Sequence, residues 1–427
     1  MAHAGPDATG GQPARTPQAA AWTPWRTVVA FGLVSLAADM VYEGMRSVAG
    51  PYLGSLGASA LTVGVVTGAG EAIALVLRLV TGPWADRAQR HWRLTVLGYG
   101  LTAVCVPLLA LAPALGAAGI AFAAVMILAE RTGKAIRSPA KSALLARVAV
   151  RTGRGKAFGV HKALDQVGAF AGPLLLAGTT AATGLIWPGL ALLAVPGAVS
   201  LLLLALLRRR VPAVAEPDPE AVAAPAPAGL VRPALGADLP AAFHRFSAAA
   251  ALTTFGLMTF GVISFQFVRA GVFPTAAAPL VYAVAMAVGA VAALATGALF
   301  DRWSGRVLLV VPVLAAVVPW LVFDARAAVV LVGVVVWGAA TGVQDSAVKA
   351  FVADLVPSAR RATAYGIFAA VQGIGALAGG AVAGAMVTDH ADALGWIILA
   401  AQVVAAYLLV TTLRRGPVAD TTTRAGH

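Results

Sequence analysis

The sequence predicts an all-α polytopic membrane protein, with twelve transmembrane helices in two pseudo-symmetric six-helix bundles. Three observations carry this. Of 427 residues, 59% are hydrophobic and only 11% are charged, against about 25% charged in soluble domains, and the mean hydropathy is +0.84. Apolar runs of about 20 residues, the length a helix needs to cross a bilayer, recur throughout; they are continuous rather than the ten-residue alternations of barrel strands. Finally, three short motifs recur in the same order in the two halves.

The elements follow in order. Residues 1–24 are polar and rich in Ala, Gly and Pro, and lack the apolar core of a cleaved signal peptide, so they are expected to form a disordered tail before a first span that inserts uncleaved. The first bundle, 25–207, holds spans at about 27–53, 60–84, 94–113, 117–137, 157–179 and 185–207. Residues 208–245 open with three arginines and continue Pro/Ala-rich, the composition of a semi-extended tether. The second bundle, 246–413, holds spans at about 246–268, 277–299, 306–323, 327–347, 363–387 and 393–413, and 414–427 form a second tail.

Orientation follows from Lys/Arg placement. The connections after the even-numbered spans carry Arg87, Arg90 and Arg93; Lys141, Arg147, Arg151, Arg154 and Lys156; Arg208, Arg209 and Arg210; Arg302; and Arg360 and Arg361. The odd-numbered connections carry almost none, so both termini are expected in the cytoplasm, in a plasma-membrane protein. This topology accounts for the net charge of +13 without a nucleic-acid partner, and no nucleic-acid module is legible. The single cysteine, Cys105, rules out a disulfide framework within the chain.

The repeats are "GPWADRAQR" with "GALFDRWSGR", "GKAFGVHKALDQVGAFAG" with "ATAYGIFAAVQGIGALAG", and "FGLVS" at 31–35 with "FGLMT" at 255–259. Parallel copies of this kind place a binding site near the bilayer midplane between them. With Gly82, Asp86 and Arg87 repeated at Gly297, Asp301 and Arg302, the chain resembles the major facilitator superfamily over about residues 25–413. The resemblance implies alternating access by rocking of the two halves. Asp86 and Asp301, at the ends of spans 2 and 8, are read as a cytoplasmic latch against the helix starts of spans 5 and 11, where partial positive charge lies. Gly159, Gly168, Gly172 and Pro173 resemble the fifth-span motif of proton-driven exporters, although Leu176 and Ala177 stand where that motif has paired glycines. Close helix packing through small residues accounts for them equally well.

Charges inside the spans are the candidate machinery. Asp39, Glu43 and Arg46 lie within about 60° of one another on span 1, with Asp39 about 18 Å from the cytoplasmic end. Glu71 and Arg78 share a face of span 2. Glu130, Lys134 and Arg137 share a face of span 4 with Arg131 beside them. His161 and Asp165 share a face of span 5, with Lys162 to one side. An acid at mid-membrane costs about 2.5 to 3.5 kcal/mol on insertion scales, so these groups are expected to face a cavity or each other. In the FGLVS–FGLMT register Ile263 and Phe267 stand opposite Asp39 and Glu43, so the polar load falls on the first half.

No metalloprotease motif, nucleophile elbow or nucleotide-binding loop is present, so the chain is not expected to be an enzyme. The expectation is a secondary transporter of a small solute, proton-coupled, leaning to efflux by antiport, a monomer in the lipid bilayer with no cofactor beyond the proton gradient. An importer of a small anionic or zwitterionic solute is the alternative; a non-transporting sensor or membrane-embedded enzyme is the rival of a different class.

Overall fold

The computed structural model describes residues 22–88, 91–149, 152–211, 239–357 and 360–414. Among them the chain is helical, without strands. The first half forms α1 (Pro24–Ser55), α2 (Ala60–Ala88), α3 (His91–Leu108), α4 (Gly119–Ala149), α5 (Arg154–Thr183), α6 (Trp187–Leu192) and α7 (Ala194–Arg210). The second forms α8 (Ala241–Leu257), α9 (Phe260–Arg269), α10 (Ala278–Trp303), α11 (Val310–Val322), α12 (Ala327–Leu355), α13 (Arg361–Met386) and α14 (Ala391–Arg414).

Among the described residues ten segments are long and apolar enough to cross a membrane. One of these, His91–Ala149, is 59 residues long and holds both α3 and α4, which fold back on each other through a 3₁₀ stretch where Gly116 takes φ 52°. Span 4 was expected to end near residue 137, but α4 continues to Ala149 with Pro139 inside it. Lys141, read from sequence as a loop cation, therefore sits on the helix. Most of the expected tail and tether, 1–21 and 212–238, lie outside the described residues.

Close packing of small residues joins the helices. A Cβ on Gly168 or Gly172 of α5 would run into the carbonyl oxygens of Leu36 and Met40 on α1. In the second half, Gly375 and Gly379 of α13 meet the carbonyls of Ala251 and Phe255 on α8 in the same way. The two pairs of contacts are equivalent, and they correct one sequence alignment. Leu36 and Met40 match Ala251 and Phe255, so Asp39 falls opposite Thr254, not Ile263, and Glu43 opposite Met258, not Phe267. The resemblance of FGLVS to FGLMT is out of register because the second copy lies at a helix break.

That break separates α8 from α9. Met258 takes φ 54°, a conformation that a residue with a side chain holds only when its surroundings enforce it. The Trp337 indole donates to the freed Leu257 carbonyl at 2.7 Å, and Thr259 caps the Val262 amide. The Thr259 hydroxyl also bonds that of Thr67 on α2 at 2.7 Å. Around it Phe260, Phe265 and Phe267 are buried, with Phe260 against Tyr282 and Trp337.

The halves meet mainly along α2–α13 and α1–α9. Gly64 packs on the Gly380 carbonyl, Gly68 on Ala376 and Gly384 on Ala60; Gly50 packs on the Gly261 carbonyl and Gly54 on the Phe265 ring. These contacts lie toward the end of the molecule where α2 starts, away from the start of α1. Between α11 and α12, Arg326 donates to Asp324 from its backbone and guanidinium, which holds that partly exposed carboxyl below its ordinary pKa.

Candidate functional site

A cavity of about 210 Å³ opens between α1, α4 and α5. Asp39 and Glu43 line it from α1; Lys134, Arg137, Ser138 and Lys141 from α4; Lys162, Asp165, Gln166 and Ala169 from α5. Met286 on α10 is the second half's contribution. Four cations and three acids thus face a space large enough for several waters or a small solute.

Asp39 and Asp165 line it from neighbouring helices, brought to one cavity by the glycine-mediated contact of α5 with α1. Lys162 Nζ lies 2.8 Å from Asp165 and Lys141 Nζ 4.0 Å from it, while Arg137 lies 3.9 Å from Asp39. Lys141 also donates to Ser35 Oγ at 2.9 Å, and Ser35 bonds Tyr99 at 3.0 Å and His161 Nε2 at 3.1 Å.

A second network closes the cavity toward the α2–α13 end. Glu71 takes Arg46 at 2.8 Å and Arg131 at 3.5 Å. Arg131 donates to the Tyr42 hydroxyl, and the Lys134 ammonium lies 3.3 Å from the centre of the same ring. Glu130, with no solvent exposure, accepts from Thr102 at 3.1 Å and lies 3.8 Å from Arg137 and 3.9 Å from Arg131. Glu43 lies 3.9 Å from Arg46 and accepts from the Tyr282 hydroxyl at 2.6 Å, a hydrogen bond between the halves.

The candidate charges on α1, α2, α4 and α5 therefore gather into one connected site, but with several pairings that helix faces alone did not give. Glu71 bonds Arg46 and Arg131 across helices rather than resting on Arg78, whose buried Nε has no hydrogen-bond partner among the described residues. Lys162, placed to one side of the span-5 face, is the nearest cation to Asp165, and His161 turns instead to Ser35. Gly168 and Gly172 serve helix packing; Gly159 has open space around it; Pro173 lies within α5 without ending it. Gly297 is likewise open and Arg302 exposed. The latch expected from the sequence rests chiefly on Asp86, Arg87 and Asp301, whose side chains lie outside the described residues, as do the surroundings of Gly82. Sequence reasoning missed Ser35, Tyr42, Tyr99, Thr102 and Tyr282, neutral residues whose roles depend on what faces them.

No group of three or more His, Cys, Asp or Glu among the described residues is placed to hold a metal. The family model described as Major Facilitator Superfamily matches residues 28–323. The chain belongs to the Major Facilitator Superfamily. As a member it is a multi-pass membrane transporter rather than an enzyme. An uncharacterized protein of Mycobacterium tuberculosis (strain ATCC 25618 / H37Rv) is 47% identical over 388 residues, 90% of this chain and 92% of that one. An uncharacterized MFS-type transporter of Methanocaldococcus jannaschii is 30% identical over 151 residues, 35% of this chain and 36% of that protein. Among solved structures, the nucleoside transporter NupG matches with TM-score 0.71 at 15% identity, over 91% of this chain and 99% of that one. A mutant of the peptide transporter POT matches with TM-score 0.73 at 15% identity, over 92% and 95%. At these identities the likeness to solved structures is one of fold.

Proposed function

We propose that this Major Facilitator Superfamily member is a proton-coupled secondary transporter of the plasma membrane that moves its solute through the cavity around Asp39 and Asp165. The observation that carries the reading is the carboxyl pair itself. Two carboxyls facing one cavity, each with a cation within 4.0 Å, are groups that can carry a proton as solvent access changes sides. A pair of this kind, opened in turn to the two sides of the membrane, takes a proton from one side and gives it to the other. The Lys/Arg distribution supports cytoplasmic termini, and the inter-half contacts then seal the outer end while the cavity opens inward.

The lean to efflux rests on the span-5 glycines, and packing on α1 accounts for Gly168 and Gly172. The lining favours the second reading, uptake of an anionic or zwitterionic solute. With both acids ionised, Lys141, Lys162 and Arg137 each have a carboxylate within 4.0 Å. A proton on the pair frees those cations for an anionic group, so proton and anion enter together.

Purified protein in liposomes with a trapped pH dye tests this. Solute-dependent acidification that Asp39→Asn and Asp165→Asn each abolish supports the proposal. Solute movement with unchanged proton flux in either variant rules it out.

A further inference from the structure

Every acid lining the cavity has a cation at ion-pair distance. Arg137 lies 3.9 Å from Asp39, Lys162 and Lys141 lie 2.8 and 4.0 Å from Asp165, and Arg46 lies 3.9 Å from Glu43. The converse fails for one of the lining cations. Lys134 has no carboxylate oxygen within 4.0 Å among the described residues. Its ammonium rests instead on the Tyr42 ring, 3.3 Å from the ring centre, and Arg131 holds that ring by its hydroxyl. An aromatic face steadies a cation without cancelling its charge.

Lys134 stands midway along α4 (Gly119–Ala149), where a charged side chain is costly to place in a membrane and faces a cavity or a partner. With three acids against four cations, the lining holds one positive charge in excess. That charge is available whether or not Asp39 and Asp165 carry protons, unlike the charges of Arg137, Lys141 and Lys162. Two neutral groups share the lining. Ser138 lies one helical turn from Lys134 on the same face of α4, and Gln166 faces the cavity from α5. Among the described residues neither side chain is spent on a hydrogen bond within the protein, and each can both donate and accept.

We infer that Lys134 binds the anionic group of the solute, and that Ser138 and Gln166 bind a hydroxyl or amide carried by the same solute. The solute class is a small polar organic monoanion, of which a hydroxy-monocarboxylate is the simplest example. A lysine suits a single compact anionic group, since its ammonium is a point charge, whereas the arginine fork selects planar, bidentate partners. The inference rests on the proposed reading of this cavity as the solute's path. It adds which residue takes the anion, and that the anion binds before any proton arrives.

The test measures binding without flux. Full-length protein carries Cys105→Ser and Met286→Cys, the latter a reporter facing the cavity from α10. Labelling by methyl methanethiosulfonate, an uncharged reagent, is followed by mass spectrometry. The protectants are lactate, propionate and the neutral lactamide. Lactate is expected to slow labelling saturably, and lactamide to leave it unchanged. Lys134→Gln raises the half-protecting lactate concentration about tenfold or more, the loss of one hydrogen bond to a charged group. Lys134→Arg, which keeps the charge, retains protection, so the two variants separate lost charge from lost structure. Protection also persists in Asp39→Asn. Propionate, which lacks the hydroxyl, needs about threefold more than lactate, and Ser138→Ala with Gln166→Leu removes that difference. Equal protection in Lys134→Gln and its parent overturns the role of Lys134, as does protection by lactamide equal to that by lactate. No protection by either carboxylate overturns the solute class. Lys134-dependent protection without solute-driven proton entry in liposomes leaves this inference standing and refutes only proton coupling.

Discussion

Glu71 holds a short ion pair between helices, and the cost of its removal follows from the geometry. It bridges Arg46 at 2.8 Å and Arg131 at 3.5 Å, with side-chain exposures of 26% for Glu71, 27% for Arg46 and 6% for Arg131. At an effective dielectric of about 20, charges at these separations attract by about 6 and about 5 kcal/mol. Desolvating the three groups offsets much of that, and removing one partner of such a cluster leaves a net loss of about 3 to 5 kcal/mol. Partial exposure of Glu71 and Arg46 sets the expectation for Glu71→Ala near the lower end, about 3 kcal/mol. Unfolding in detergent, followed by tryptophan fluorescence, reads it. Glu71→Gln keeps an acceptor and loses less. Glu71→Gln with Arg131→Gln recovers part of the loss, because the stranded cation leaves with the anion. A Glu71→Ala protein within about 0.5 kcal/mol of the parent refutes the reasoning, for surface substitutions alone fall in that range.

Two further outcomes follow from the interface. Tyr282→Phe deletes the hydrogen bond to Glu43, worth about 1.5 to 3 kcal/mol for a charged acceptor, and opens the α2–α13 end about tenfold or more often; spin-label distances between α1 and α10 measure this. Gly64→Val drives a side chain into the Gly380 carbonyl, so disulfide cross-linking of an Ala60→Cys, Gly384→Cys pair falls in that background. Undiminished cross-linking contradicts the packing described.

Much of this was legible in the sequence, for definite reasons. Charges are scarce in apolar runs, so Asp39, Glu43, Glu71, Glu130 and Asp165 identified themselves, and the duplicated glycines marked where helices touch. Partnerships between helices were not legible: helical periodicity links Glu71 to Arg78 on one face but carries no information on Arg46 and Arg131 across the bundle. Lys141 looked like a topological loop cation because the apolar run of span 4 ends near residue 137; the helix continues past it to Ala149. Tyr282 and Thr102 gave no signal at all, since neutral residues are ordinary in a span until their neighbours are known. The misaligned first repeat has the same origin, a short sequence likeness that a broken helix displaces by several positions.

The most direct measurement of the central claim is solute-driven proton entry into liposomes carrying a trapped pH dye, with wild type, Asp39→Asn and Asp165→Asn in parallel. The account predicts acidification with the wild type and its loss in both variants, while each variant still exchanges solute across the membrane. Acidification at the wild-type rate in either variant would contradict it, because the proton would then be moving without the pair.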